Sequence, residues 1–330
     1  MAGSAQPATP EAAARAAVNP ADSPLEGMSA LPHLGVIRAQ GEEAAKFLQG
    51  QLTHDVVMLP AGRARLAGYC SPKGRLLASF IVVRLGDGDF ALIVSKDVLA
   101  PTLKRLSMFV LRAKVTLTDA TDAFVLHGLA GAPARAALGG GVTAPWDDQT
   151  SGADHTVCLY PADGVTRALQ LAPASAPPAV ATPLPAAALS PALWAWSEVR
   201  SGVAMITAPT AEAFVPQMLN YESVDGVSFK KGCYPGQEVV ARSQFRGQIK
   251  RRAMRATGTG PLMAGQEVFD LQQPDQPCGM VAAAAMGPHG DYAAIVSAPP
   301  AALEGGHGLQ TGDGQRLRLE SAPYPLLLDL

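Results

Sequence analysis

The first third of the chain alternates between two kinds of apolar pattern. Apolar residues in short blocks or at every second position predict strands, and those three or four positions apart predict helices. Together they predict a β-α-β-β-β-α-β order, typical of an antiparallel sheet with helices on one face and hence of the α+β class. The strands are Leu34–Ala39, Leu66–Cys70, Leu76–Leu85, Phe90–Val94 and Val115–Thr118, and the helices run over Gly41–Leu52 and from Asp97 to about Arg112.

A weaker echo of this pattern follows. It predicts strands over 124–129, 157–160 and 167–171, a short helix over 132–138, and a helix from about 191 to 201. Six prolines within residues 173–192 predict a loop before that last helix. Beyond residue 247, three strand-like runs predict a small all-β domain, and they cover 281–286, 292–296 and 317–320.

These patterns divide the chain into three predicted parts. They are a flexible tail over 1–30, a region of two subdomains over 31–246 with the second over about 119–190, and a C-terminal domain over 247–330. The tail has neither the basic start and apolar run of a signal peptide nor the arginine-rich composition of a transit peptide. No apolar run has the length of a membrane span. We therefore expect a cytoplasmic protein with no membrane partner.

Composition and charge narrow the classes of function. With 48% apolar and 16% charged residues the composition is that of a globular protein, and the net charge of −2 gives no overall basic field for nucleic acid. The four cysteines lie 88, 75 and 45 residues apart, and no two histidines are four positions apart. This spacing predicts no metal site.

The strongest chemical signal is the segment V-S-F-K-K-G-C-Y-P-G-Q-E-V-V-A-R, which contains Cys233. We expect Val227–Phe229 to be a strand end and a helix to run from about Pro235 to Phe245, with the cysteine on the turn between them. A thiol near a helix N-terminus and beside Lys230 and Lys231 shifts toward the reactive thiolate. The alternative is a buried cysteine that serves as a small apolar residue.

The neighbours of this cysteine have predicted roles of their own. Gly232 and Gly236 permit the turn, because glycine adopts backbone angles that other residues avoid. Gln237 and Glu238 begin the helix, where a negative charge meets the positive end of the helix dipole. Lys231 raises the thiolate content of Cys233.

The stretch from Lys231 to Arg242, which includes Tyr234, resembles the signature of the YgfZ family, K-G-C-[YF]-x-G-Q-E followed by V-A-R. Three further stretches resemble family motifs: F-L-Q-G-Q-L-T from Phe47, the hairpin Cys70 to Arg75, and F-V-P-Q from Phe214. The resemblance covers about residues 34–325. It implies the fold of the glycine-cleavage T-protein, in which two ferredoxin-like subdomains and a β-barrel surround a central hole that holds a tetrahydrofolate.

The same resemblance implies a function. YgfZ-like proteins support the assembly or repair of iron–sulphur clusters in selected enzymes, including those that thiolate tRNA, and the position matching Cys233 is thought to be required. The implied partners are folate and iron–sulphur enzymes or cluster-assembly proteins. Positions that contact folate in related proteins correspond here to Trp194, Leu34 and Arg200. Whether the chain catalyses a reaction of its own stays open.

Two alternatives remain. The first is a tetrahydrofolate-dependent aminomethyl or one-carbon transferase, although Ala78 and Ser79 stand where T-protein-like sequences have an Asp pair, and neither side chain is a base. The second is an RNA-binding module. A run of positive charges could also be a solvated face or a site for the glutamyl tail of folate. The run that suggests RNA binding consists of Arg242, Arg246, Lys250, Arg251, Arg252 and Arg255. Aromatic residues make up only 5% of the chain, so we expect no direct nucleic-acid binding.

Overall fold

The structure is a computed structural model that describes residues 24–141, 143–175, 187–245, 249–303 and 308–327. Its helices are α1 (Ala44–Gln49), α2 (Lys96–Ser107), α3 (Ala132–Ala137), α4 (Pro191–Arg200) and α5 (Gln237–Phe245). The strands before α4 are β1 (Gly27–Ala30), β2 (Leu34–Gln40), β3 (Ala64–Cys70), β4 (Leu76–Gly86), β5 (Asp89–Ser95), β6 (Thr116–Asp119), β7 (Phe124–Ala130), β8 (Asp148–Ser151), β9 (Asp154–Ala162) and β10 (Val165–Pro173). The strands after α5 are β11 (Arg252–Gly258), β12 (Glu267–Asp270), β13 (Gln273–Met286), β14 (Tyr292–Ala298), β15 (Leu309–Thr311) and β16 (Arg316–Glu320).

The N-terminal sheet has the strand order β3-β4-β5-β2-β6, and all its neighbouring strands are antiparallel. Side chains alternate between its two faces. On β4, Phe80 and Val82 face a core shared with α1 and α2, while Ile81 and Val83 face a central core. Because both faces are buried, the strands read as nearly continuous apolar runs in the sequence.

The middle sheet has the order β1-β7-β10-β9-β8, again antiparallel. Helix α3 covers one face through Ala134 and Leu138. The other face contributes Leu169 and Leu171 to the central core. The two five-stranded sheets therefore meet through this core, with α4 packed between the middle sheet and the C-terminal strands.

The six strands after α5 form a closed barrel in the order β11-β14-β13-β12-β15-β16. Its small interior is filled by apolar residues such as Met254, Val268 and Val296. The predicted α+β class, with two sheet-and-helix subdomains and a C-terminal barrel, is confirmed. Among the helices of the described residues, none is long and apolar enough to cross a membrane.

Three local predictions were wrong. The tail boundary at residue 30 was placed too late, because Gly27–Ala30 pairs with β7 and Leu25 is buried. The segment Val227–Phe229 is not a strand, since the amide of Ser228 donates to the carbonyl of Thr53 rather than to a sheet partner. The helices also begin later or end earlier than expected. The tail up to residue 23 and most of the proline-rich loop, 176–186, lie outside the described residues.

Candidate functional site

Cys233 lies at the surface on a two-residue arch formed with Gly232, and both residues are exposed. The residues on either side, Lys231 and Tyr234, are each only 7% exposed. The chain therefore leaves the interior for two residues and returns to it at once. This arch, Gly232–Cys233, presents the thiol to solvent instead of burying it as an apolar side chain.

The ammonium group of Lys231 is held beneath the arch. Its Nζ donates to the backbone carbonyl of Gln49, the last residue of α1, and, at 2.6 Å, to that of Leu52, three residues beyond the helix. The same Nζ lies 4.7 Å from the centre of the Tyr234 ring. Burial lowers the pKa of Lys231 to about 8, and the negative charges of Asp55 and Cys233 oppose that shift. The F-L-Q-G-Q-L-T motif and the signature are thus in direct contact.

Gly236 closes the turn after the arch, and its φ of +80° lies in the left-handed region. A Cβ at this position would lie 2.5 Å from the carbonyl oxygen of Ser71 and 2.6 Å from the Cα of Gly74. The turn before α5 therefore packs directly on the hairpin between β3 and β4. Gly232 has no positive φ, and a Cβ added there would meet no atom within 4 Å, so glycine is not required at that position by space.

Helix α5 begins at Gln237, two residues later than predicted, and four residues beyond Cys233. Glu238 is exposed and pairs with Arg242 one turn later, at 2.9 Å. The buried amide of Gln217 donates to the carbonyl of Val240 at 2.7 Å. This bond fixes α5 to the segment that contains the F-V-P-Q motif.

A cavity of about 210 Å³ lies between the N-terminal sheet, the middle sheet, α4 and the barrel. Most of its wall is apolar, and it includes Leu34, whose predicted contact with the cofactor stays a prediction. Its charged and aromatic side chains are His33, Arg167, Glu198, Trp146 and Tyr160. An apolar cavity with a few convergent polar groups is the usual form of a small-molecule site.

Arg167 is the most unusual group in this wall. It is 2% exposed, and its guanidinium lies 4.5 Å from the centre of the Trp194 ring. One of its nitrogens donates to the carbonyl of Tyr160 at 3.3 Å, but its Nε has no hydrogen-bond partner. Burial lowers the pKa of Arg167 to about 10, and the charge of Glu198 opposes this. A buried cation with an unused donor favours a ligand that supplies an acceptor.

Glu198 provides the complementary group. Its Oε1 accepts a hydrogen bond from Nε1 of Trp194 at 3.0 Å and lies 3.5 Å from Nε2 of His33. Burial opposes protonation of His33, but the hydrogen bond and charge of Glu198 raise its pKa above the ordinary value. Trp194 itself lies behind the wall, fully buried against Gly128, and supports both Arg167 and Glu198.

Trp146 also lines the cavity and holds an uncommon backbone conformation, with φ of +71°. Its indole Nε1 donates to the carbonyl of Val224 at 2.8 Å, and its ring makes an edge contact with Tyr160. A bulky residue in the left-handed region is strained and persists only where its surroundings fix it. The aromatic wall is therefore held in place before any ligand enters.

Arg200, which the resemblance aligned with a folate-contacting position, has other partners. Its guanidinium makes two bonds to Asp163, at 2.7 and 2.8 Å, and one to Glu320 at 3.1 Å. It is not among the described residues that line the cavity. Its predicted role in binding the cofactor stays a prediction.

The run of positive charges does not form one surface. Arg255 pairs with Asp163 and Glu320, and its side chain is 15% exposed. Arg252 is more deeply buried and pairs with Glu222, whose side chain has no exposed surface. Arg246 lies outside the described residues. Internal carboxylates thus neutralise Arg252 and Arg255, which removes two of the charges considered for RNA.

Ser79 has a structural role where T-protein-like sequences have an acid. It is fully buried, and its hydroxyl accepts the amide of Ile206 at 2.8 Å and points a proton toward the sulphur of Met205 at 3.6 Å. Met205 lines the cavity, so Ser79 shapes the wall. Neither it nor Ala78 can accept a proton from a substrate amine at neutral pH.

The thiol and the cavity are separate. Among the described residues that line the cavity, neither Cys233 nor Lys231 occurs. The hairpin that contacts Gly236 leads into β4, and Ile81 on that strand reaches the cavity wall. Ile81 lies five positions after Leu76 on the strand, a distance of about 17 Å. The arch and the cavity therefore lie near different parts of β4.

Sequence reasoning missed several of these groups. Arg167, His33 and Trp146 lie in segments with no motif, and they become neighbours only when the two sheets meet. Glu198 was visible in the stretch before Gly202 but not recognised as the cavity carboxylate. Among the described residues, no group of three His, Cys, Asp or Glu is placed to hold a metal.

Comparisons with known proteins fit this architecture. Residues 26–152 match the GCVT N-terminal domain. The tRNA-modifying protein YgfZ of Serratia proteamaculans is 34% identical over 250 residues, which is 72% of this chain and 73% of the relative. The proteins of the same name from Vibrio vulnificus and Escherichia coli O157:H7 are 32% and 33% identical, covering 76% and 69% of this chain and 76% and 71% of the relatives.

Among solved structures, the glycine cleavage system aminomethyltransferase T from Bartonella henselae superposes with a TM-score of 0.63. The superposition covers 91% of this chain and 86% of that chain, at 18% sequence identity. At that identity the likeness concerns the fold alone.

Proposed function

The chain belongs to the family of the tRNA-modifying protein YgfZ, and from this premise we propose that it binds a tetrahydrofolate in the cavity and supports iron–sulphur enzymes through Cys233. The clients include enzymes that thiolate tRNA. The single observation that supports a chemical role for the thiol is its exposure. A structural cysteine has no reason to stand on an arch between two buried residues.

An exposed thiol suits a macromolecular client. A thiolate, whether it acts as nucleophile or metal ligand, must approach an atom of the partner closely. Lys231 is the adjacent residue, and its ammonium group is held in place by backbone carbonyls and the Tyr234 ring. These features support a contact reaction at the surface, between Cys233 and a cluster or sulphur group held by another protein.

The cavity residues fit the pterin part of a folate. A pterin is flat and has both hydrogen-bond donors and acceptors on one edge. Glu198 can accept from the donors, while the guanidinium of Arg167 can donate to an acceptor. The Trp146 and Tyr160 rings supply aromatic surface along the wall. A bound tetrahydrofolate would supply a carrier of one-carbon groups at this place.

A transferase would need a base at the position of the T-protein acid. Among the described residues of the cavity, no base lies at that position. Ser79 is committed to the amide of Ile206, and Glu198 is the carboxylate that remains. Its Oε1 already accepts from Trp194 and lies near His33, so it is placed to hold a ligand. We propose the client-support role over transfer for this reason.

The test is complementation of a strain that lacks the protein. Cys233→Ala should fold normally, because the side chain is exposed, yet thiolated tRNA should fall to the level of the deletion strain. Cys278→Ala is the matched control, since that cysteine is partly exposed on β13 and away from the arch. Normal tRNA thiolation in the Cys233→Ala strain would remove the proposed role of the thiol.

A further inference from the structure

We infer that Lys231 is a positioning residue for Cys233: its buried ammonium anchors the Gly232–Cys233 arch to the end of α1 and fixes where the thiol stands. This inference deepens the proposed function and rests on it for what the thiol does. It differs from the expectation that Lys231 acts only by its charge. Three features of the arch support it.

The first feature is the set of acceptors. Helix α1 is short, and the carbonyls at a helix C-terminus have no partners within the helix. From a position 179 residues or more along the chain, Lys231 satisfies the carbonyl of Leu52, three residues beyond the helix, and that of Gln49, the last residue of α1. A cation is the favoured partner there, because the C-terminal end of a helix has partial negative charge. The ammonium is a cap for α1 as well as a neighbour of the thiol.

The second feature is the alignment of the two segments. The hydroxyl of Thr53 donates to the carbonyl of Gly226 at 2.7 Å, and the amide of Ser228 donates to the carbonyl of Thr53 at 3.0 Å. Together with Lys231 these bonds tie residues 226–231 along residues 49–53. Lys231 is the last tie before the chain leaves the interior at Gly232.

The third feature is the contact made where the chain returns to the interior, at Tyr234. Tyr234 is buried, and its ring face covers the ammonium of Lys231 at 4.7 Å. A cation over an aromatic face is attracted by the negative charge of that face. The two ends of the arch therefore hold each other, and Cys233 is the residue that must project between them.

The protonation of Lys231 determines how the stability contributed by this residue depends on pH. The groups that face its ammonium are Asp55, Cys233 and the ring of Tyr234. Burial lowers its pKa to about 8, whereas in the unfolded chain the group has the ordinary value near 10.5. Between these two pH values the unfolded chain therefore binds more protons than the folded chain. Stability from this group rises with pH across that window. The neutral amine still has two N–H donors for two carbonyls, so the anchor should persist above pH 8.

The experiment uses the purified full chain and needs no client. Alkylation of Cys233 by iodoacetamide is followed by mass spectrometry between pH 6 and 10, together with hydrogen exchange of peptides covering 226–234 and 49–57. The variants are Lys231→Met, Lys231→Arg and Lys230→Met. The last is the matched control, because Lys230 is adjacent and has no ion pair among the described residues.

Lys231→Met should speed exchange in both peptides about tenfold, the factor for roughly 1.4 kcal/mol of lost local stability. It should also change the pH profile of Cys233 alkylation, because the thiol would no longer stand at a fixed place beside an ammonium group. Lys231→Arg should recover part of both effects, and Lys230→Met should stay near wild type.

Two results would overturn the inference. A changed alkylation profile with unchanged exchange would mean that Lys231 acts by charge alone, and equal effects from Lys230→Met would mean that its place under the arch is irrelevant. The proposed function fails separately, through normal tRNA thiolation in the Cys233→Ala strain.

Discussion

The cavity and the arch use the same kinds of residue in opposite ways. In the cavity, Arg167 and Glu198 are drawn inward and supported from behind by Trp194, so the polar groups face an enclosed space. At the arch, Lys231 is drawn inward so that Cys233 can stand outside. The first arrangement suits a small molecule that can enter. The second suits a partner too large to enter.

Two buried hydrogen bonds connect these regions. The hydroxyl of Tyr221 donates to the carbonyl of Ala204 in the cavity wall at 2.7 Å, and Trp146 donates to the carbonyl of Val224 at 2.8 Å. Both link the wall to residues 221–224, which lead directly into the segment tied to α1. The regions are separate sites on one continuous support, and variants can be chosen to disturb one without the other.

The largest effect should come from breaking the support of the arch at Gly236. In Gly236→Ala, the new Cβ meets the backbone of Ser71 and Gly74 at a positive φ, so the hairpin and turn must separate. We expect a loss of about 2–4 kcal/mol in the free energy of unfolding by urea.

Gly232→Ala is the control for that variant, because its Cβ meets nothing within 4 Å. It should change the free energy of unfolding by less than about 0.5 kcal/mol. Equal losses from the two variants would show that the hairpin contact does not stabilise the arch.

A medium effect should come from the cavity, with Arg167→Met. Loss of a charged donor should weaken tetrahydrofolate binding by about 10- to 100-fold, measured by calorimetry. Stability should change little, because the carboxylate of Glu198 keeps Trp194 and His33 as partners when the cation is removed. The alkylation profile of Cys233 should stay that of the wild type.

Arg200→Met is the comparison for the cavity variant. Its guanidinium pairs with Asp163 and Glu320, so it should weaken folate binding less than Arg167→Met does. If Arg200→Met weakened folate binding more than Arg167→Met does, the position implied by the family resemblance would indicate the folate site better than the cavity geometry does.

The smallest effect should come from the signature residue Arg242. Its pair with Glu238 is exposed on α5, and such pairs contribute about 0.3–0.5 kcal/mol. Arg242→Ala should therefore leave the melting temperature within about 2 °C of the wild type, as measured by calorimetry. A strong loss of tRNA thiolation in this stable variant would assign Arg242 to client contact, and a large drop in melting temperature would contradict the exposed-pair description.

Much of the fold could be predicted because its signals are local. Strands β4 and β5 of the N-terminal sheet are apolar on both faces, and the turns beside them contain Gly or Pro. Strand β11 was missed because Arg252 and Arg255 lie in a run of positive charges that resembled a surface. Their partners, Glu222 and Asp163, lie 30 and 92 positions away, and no periodicity reveals such pairs.

In the candidate site, too, the local signals could be recognised in the sequence and the long-range contacts could not. The motif identified Cys233 and its loop, but the acceptors of Lys231 are backbone carbonyls, which have no residue-type signature. Arg167 and Glu198 come from β10 and α4, and only the meeting of these elements makes a cavity wall. Side chains that act through long-range packing cannot be identified from spacing.

The buried pair of Arg252 and Glu222 has a practical consequence for anyone who divides this chain. Arg252 also donates to the carbonyl of Leu327 at 3.0 Å, so the first barrel strand joins Glu222 to the end of the described chain. A fragment that stops before the barrel would leave the carboxylate of Glu222 sealed without a counter-ion, a state that costs about 3–5 kcal/mol. Truncation would therefore report misfolding rather than the activity of either half, and roles are better separated by single substitutions in the intact protein.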